Sequence, residues 1–194
     1  MKRDFRALVK VTGDLLEEPW LSKVVLPFIE TKTQDDRKVV VLVGGGKQIN
    51  LELGEKFPGY EMDKRYGGRY LGSQPPEVKA GMETVALEVL GNNRNFLERK
   101  LEENGMGEVE VVLPIARIAE ILCHVDADHF ATAIGCNGFN QIIIITHSEE
   151  SKQEKTEALK RWLREYPGKF QILSPQDIEL EIAQKTAPLQ YATG

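Results

Sequence analysis

The chain has 194 residues, 41% of them hydrophobic and 28% charged, which is ordinary globular usage and enough for one domain with its own core. Its 25 basic and 30 acidic residues sum to a charge of −5, which argues against the basic surface of a non-specific nucleic-acid binder and leaves room for a local basic pocket. No apolar run approaches the roughly 18 residues of a membrane span, the N-terminus lacks the apolar block of a signal peptide, and Cys123 and Cys136 are too few for a disulfide framework; a cytoplasmic protein is expected.

Ala7 to Val11 is a short, β-branched run that ends at Thr12-Gly13-Asp14. It predicts a buried strand closed by a tight turn. Leu15 to Ile29 carries apolar residues at helical spacing, with Pro19 in a first turn and Pro27 as a late break. Thr31 to Lys38 reads as a polar connector. Val39 to Val43 is apolar without alternation, the mark of a strand covered on both faces. Gly44-Gly45-Gly46 follows at once, and Lys47 to Leu53 resumes a helical pattern. Strand, glycine turn and helix, repeated, imply a parallel α/β sheet.

Gly54 to Pro76 reads as a loop with Lys64, Arg65 and Arg69 among Tyr60, Tyr66 and Tyr70. Glu77 to Leu101 is the longest helical stretch. Its stripe of Val78, Met82, Val85 and Val89 suggests a homodimer contact, and Gly91-Asn92-Asn93 an interruption. Val109 to Leu113 is a third strand, Ala116 to Leu122 a short helix, and Asp126 to Ile134 a helix capped by Asp126. Gln141 to Thr146 is the most apolar strand. Ser151 to Tyr166 reads as one amphipathic helix, whose charge run from Glu149 to Glu157 forms a solvated face. Phe170 to Leu173 is a last strand, and Ile178 to Lys185 a last helix.

Glycine turns between strand and helix suit phosphate chemistry. Without a Cβ the backbone can approach an anion closely, and the helix N-terminus presents N–H groups and a positive dipole end. Thr12-Gly13 and Gly44-Gly45-Gly46 are two such turns. Neither is a P-loop or a dinucleotide fingerprint: Val41 and Ile49 stand where glycines are needed. The same turns also serve as tight strand–helix connections and nothing more. Lys10, at the end of its apolar strand, reads either as a cation aimed at a phosphoryl group or as a lysine snorkelling from an edge. Cys123, His124, Asp126, Asp128, His129 and Cys136 cluster along the chain, but without metal-ligand spacing, so no metal site is expected.

Three segments, in order, resemble the amino acid kinase superfamily, which includes acetylglutamate, carbamate, aspartate, uridylate and isopentenyl phosphate kinases. Leu8 to Leu16 resembles its opening strand, Val39 to Asn50 its second strand and glycine turn, and Asp126 to Ala133 with Ile142 to Thr146 its Asn-Ala-Asp helix and the strand behind it. Met82 to Gly105 is similar to its long helix, with Asn95 on a recurrent Asn. The resemblance spans roughly residues 7–147. It implies a single domain over 1–194 of the carbamate kinase-like fold: a three-layer α/β sandwich with a mostly parallel sheet. About 1–113 would form the acceptor-side half and about 114–194 a trimmed nucleotide-side half.

The resemblance further implies an ATP-dependent kinase that moves a phosphoryl group, with Mg²⁺, onto a carboxylate, phosphate or carbamate oxygen of an anionic small molecule. By the same resemblance Lys10 and Asp128 are catalytic. Gly13, Gly44, Gly45, Gly46, Arg69 and Asn95 bind phosphate or substrate. The chain departs from that family after Thr146, where His147-Ser148-Glu149-Glu150 replace an Asp and a Gly-Val turn, and it shows no glycine-rich segment with a second lysine. Those departures set up the alternative: a catalytically inactive kinase-like protein that senses an anionic metabolite or serves as an oligomeric partner subunit.

Overall fold

The computed structural model describes residues 5–34, 38–59, 75–118, 121–124 and 127–186. Strand β1 (Arg6–Val11) leads through a 3₁₀ turn (Gly13–Leu16) and a π-helical turn (Leu21–Val25) into helix α1 (Leu26–Thr33). Then come β2 (Lys38–Val43), α2 (Gly46–Lys56), α3 (Pro76–Glu103) and β3 (Glu110–Val112). An antiparallel hairpin of β4 (Ile115–Ile118) and β5 (Ile121–His124) precedes α4 (Ala127–Gly138) and β6 (Gln141–Ile145). The described chain closes with α5 (Glu149–Ala158), α6 (Lys160–Glu165), β7 (Phe170–Leu173) and α7 (Pro175–Thr186).

The main sheet has five strands in the order β3-β2-β1-β6-β7, and every neighbouring pair is parallel. Side chains alternate between its faces. Val9, Val11, Val41, Val43, Ile143 and Ile145 turn towards α1, α7 and the second half of α3, where they meet Phe28, Ile29, Leu97, Leu101 and Ile178. Leu8, Val40, Leu42 and Ile142 turn the other way, towards Ala131 and Phe130 of α4. Ile144 and Ile172 lie under Leu159 and Trp162. Apolar residues without alternation in β2 and β6 are thus explained: both faces are covered, as a three-layer α/β sandwich requires. No described helix is long and apolar enough to cross a membrane.

Several boundaries differ from the sequence expectations. Pro27 stands in the first turn of α1 rather than breaking it, where proline's missing N–H costs nothing. Helix α3 runs unbroken through Gly91-Asn92-Asn93. A mid-helix glycine costs about 1 kcal/mol, and burial of Met82, Val85, Leu90, Leu97 and Leu101 along the same helix outweighs it. Those residues pack inside the chain, against Ile49 and Leu53 of α2 and against the sheet, and Val78 and Val89 of the expected stripe pack there partly buried. The described residues of the stretch Ala116 to Leu122 lie in the paired strands β4 and β5, not in a helix; periodicity cannot separate the two in so short an apolar run, and cross-strand pairing decides. Ser151 to Tyr166 is two helices that part at Leu159, whose side chain is buried.

The chain steps from β1 outward to β2 and β3, then crosses to the opposite side of β1 for β6 and β7. The connection after β1 runs over one face through α1, and that after β6 over the other through α5 and α6. Departures in opposite directions open a crevice at the carboxyl ends of β1 and β6, the usual ligand position in open α/β sheets.

Candidate functional site

Lys10 is the fifth residue of β1, in register with Leu42 of β2 and Ile144 of β6. By the alternation of the strand it shares a face with Leu8, the face that α4 covers. A lysine there is costly unless an anion meets it. Asp128, in the first turn of α4, does so: Lys10 Nζ lies 2.7 Å from Asp128 Oδ1. Both residues are buried, 4% and 9% exposed. A carboxylate in a first turn is also favoured by the positive end of the helix dipole.

A second cation reaches the same carboxylate. Lys155 of α5 donates from Nζ to Asp128 Oδ2. Burial pushes the Asp128 carboxyl up, but the charges and hydrogen bonds of Lys10 and Lys155 outweigh it and hold the group down at about 2. Two ammoniums share one carboxylate, so the cluster carries net positive charge in a low-dielectric setting. This is an arrangement that an incoming anion neutralises.

A cavity of about 200 Å³ opens at this cluster. Thr12, Gly13 and Asp14 wall it after β1, and Gly44, Gly45, Gly46 and Lys47 after β2. Ala127, His147 and Ser151 complete the rim. Helix α2 begins at Gly46 with Gly45 as its cap residue, so the positive end of its dipole faces the cavity. The two glycine turns are tied together from behind. Asn93 of α3 donates from Nδ2 to the Gly44 carbonyl (3.0 Å) and to Gln48 Oε1 (2.9 Å). Gln48 Nε2 in turn donates to the Gly13 carbonyl at 3.4 Å.

That clamp explains two of the glycines. A Cβ on Gly13 would stand 2.0 Å from Gln48 Oε1, and one on Gly45 would press on Asn93 and Val89 at 3.2 Å. Gly44 differs: its Cβ would meet only ordinary contacts, the nearest at 3.5 Å.

The structure therefore brings Lys10, Gly13, Gly44, Gly45, Gly46 and Asp128 around one cavity. It does not bring Asn95, which lies on the exposed side of α3; Asn93, two residues earlier, reaches the glycine turn instead. Arg69 and Asp126 lie outside the described residues. Sequence reasoning missed Lys155 and the Asn93–Gln48 clamp. The expected solvated face from Glu149 to Glu157 is corrected at two positions: Lys155 turns to Asp128, and Lys152 to Asp177 at 2.9 Å. Ser148, whose hydroxyl caps α5 by accepting from the Ser151 N–H (3.1 Å), sets the phase of that helix. A Ser three residues ahead of another Ser was the one legible signal.

Among the described residues no three His, Cys, Asp or Glu side chains stand together as metal ligands. Of the cysteine–histidine–aspartate run, Asp128 is engaged by the two lysines. No protein-family model matches this sequence, and no curated protein matches it.

Proposed function

We propose that this protein is an ATP-dependent small-molecule kinase that transfers a phosphoryl group to a carboxylate, phosphate or carbamate oxygen of an anionic acceptor. One observation carries the reading: Lys10 and Lys155, from opposite ends of the chain, converge on Asp128 where both glycine turns meet. Phosphoryl transfer asks a protein mainly for position and for positive charge where negative charge develops. Lys10 and Lys155 supply the charge, and Asp128 holds both ammoniums in place without a proton of its own at neutral pH. The glycine turns after β1 and β2 bring the backbone close to the cavity on either side.

The donor set fits the phosphates of ATP. Asp14 is the cavity carboxylate outside the Lys10–Asp128–Lys155 cluster, and magnesium in such sites takes one or two carboxylates with the substrate's own phosphates. When bound, Mg²⁺ supplies further neutralisation of phosphate charge.

A second reading rests on α5. The helix starts at Glu149, immediately after the Ser148 cap, and contributes Ser151 and Lys155 to the cavity wall. The remaining space, about 200 Å³, suits a phosphate group better than a whole nucleotide, for which pockets of roughly 300 Å³ and more are usual. On this reading the protein binds an anionic metabolite and catalyses nothing. Isothermal titration of Mg²⁺-ATP separates the two, with Lys155→Ala as control. Binding weakened by that substitution, with ADP release on adding acceptors, supports the kinase. Heat from inorganic phosphate but none from Mg²⁺-ATP would establish the anion binder.

A further inference from the structure

We propose that the outer edge of β3 takes up an extended segment of a partner protein in which basic and apolar residues alternate. Among the described residues β3 pairs only with β2, along Val40 to Leu42, so its outer edge offers backbone N–H and C=O groups to an added strand. The two faces of that edge differ. On the α3 side lies a cavity of about 560 Å³ rimmed by Arg94, Glu98, Glu102 and Glu108. Glu98 is engaged by Arg94 at 2.8 Å; Glu102 and Glu108 make no ion pair among the described residues.

On the α4 side lies a second cavity of about 380 Å³, walled by Leu8, Val40, Leu42, Phe130 and Phe139, with Glu110 of β3, in register with Val40, also on its wall. Arg6 stands at its margin with its guanidinium over the Phe139 ring, 5.0 Å from the centroid.

An added strand alternates its side chains between the same two faces. Residues turned to the α3 side would meet the carboxylates of Glu102 and Glu108, and those turned to the α4 side a mostly apolar hollow whose wall holds one cation, Arg6, and one carboxylate, Glu110. A one-residue slip would put every side chain on the wrong face, so the edge selects register as well as composition. Charge on an edge strand alone reads as protection against aggregation. That reading accounts for the glutamates but not for the apolar hollow beside them. The same glutamates disfavour a second copy of this chain, whose own acidic rim would face them.

The test uses the whole protein and a fluorescent, end-blocked Lys-Val-Lys-Leu-Lys-Val-Lys peptide, followed by anisotropy at low salt. Binding is expected, weakened about tenfold by Glu102→Lys with Glu108→Lys and by raised salt. An isomer of the same composition with its lysines in one block is expected to bind about tenfold more weakly, since it matches neither face. N-methylation of alternate peptide nitrogens should abolish binding if the backbone pairs with β3. Equal binding of the two isomers would overturn the proposal, as would retained binding after N-methylation. Absence of binding would overturn it too, whether the protein is then monomeric or self-paired by sedimentation.

Discussion

Two lysines in this protein are equally buried and do different work. The side chains of Lys10 and Lys32 are each 5% exposed, and each meets a carboxylate. Lys32 of α1 pairs with Glu181 of α7 and lies over the Phe28 ring, 4.8 Å from its centroid. One cation answers one anion between two packed helices, and none of the described cavities is lined by either residue. Lys10 shares Asp128 with Lys155 at the edge of a cavity bounded by glycine turns. Burial of a charge is therefore not what marks the candidate site. The mark is surplus positive charge facing empty space.

Removing the shared anion tests that distinction most severely. Asp128→Ala takes from Lys10 and Lys155 the carboxylate they share, and should cost about 3–5 kcal/mol in urea unfolding. A loss under about 1 kcal/mol would mean that the cluster is well solvated. The same carboxyl gives a pH signature. Its folded value, about 2, lies below the ordinary 3.8, so the unfolded chain binds the proton more readily. The ionised group thus stabilises the fold above about pH 4, and that contribution, about 2 kcal/mol, is lost as pH falls towards 2. Wild type and Asp128→Asn, compared by urea unfolding across that window, should converge at its acid end. Parallel curves would remove the claim.

Matched substitutions at the two lysines come next. Lys10→Met should weaken Mg²⁺-ATP or phosphate binding by about tenfold or more, because the cation facing the cavity is gone. Lys32→Met with Glu181→Leu should leave binding unchanged and stability equal or about 1 kcal/mol higher, since well-packed apolar side chains often replace a buried ion pair at no loss. If titration shows equal effects on binding, the comparison fails. The smallest effect belongs to the clamp. Gly45→Ala must move Asn93, Val89 or Leu90 by a few tenths of an ångström, at about 1 kcal/mol in thermal unfolding.

Much of the scaffold was legible because each element announces itself locally. β1, β2 and β6 are β-branched runs ended by Gly or Thr, and their lack of alternation told that both faces are covered. Lys10, the glycine turns and Asp128 were legible as one site only through the order of three segments. Lys155 was not, because a lysine in a helix of mixed charge looks the same whether it faces water or a buried carboxylate. Asn93 was hidden by its neighbour Asn95: the two are about 200° apart around α3, and only the packing of Leu90 and Leu97 decides which faces the glycine turn. The β4–β5 hairpin was hidden because Ala116 to Leu122 is too short for its period to separate strand from helix.

Sequence alone determined the alternation of strands and helices, the parallel sheet and the position of both glycine turns, since these follow from propensity and period within a few residues. Tertiary structure decided which charges meet. Lys10 and Lys155 are 145 residues apart, and no local rule relates them; the crossover that sets β6 beside β1, and the Ser148 cap that sets the phase of α5, bring both to Asp128. Coulomb energy depends on distance in space, and the chain reveals that distance only once it has folded.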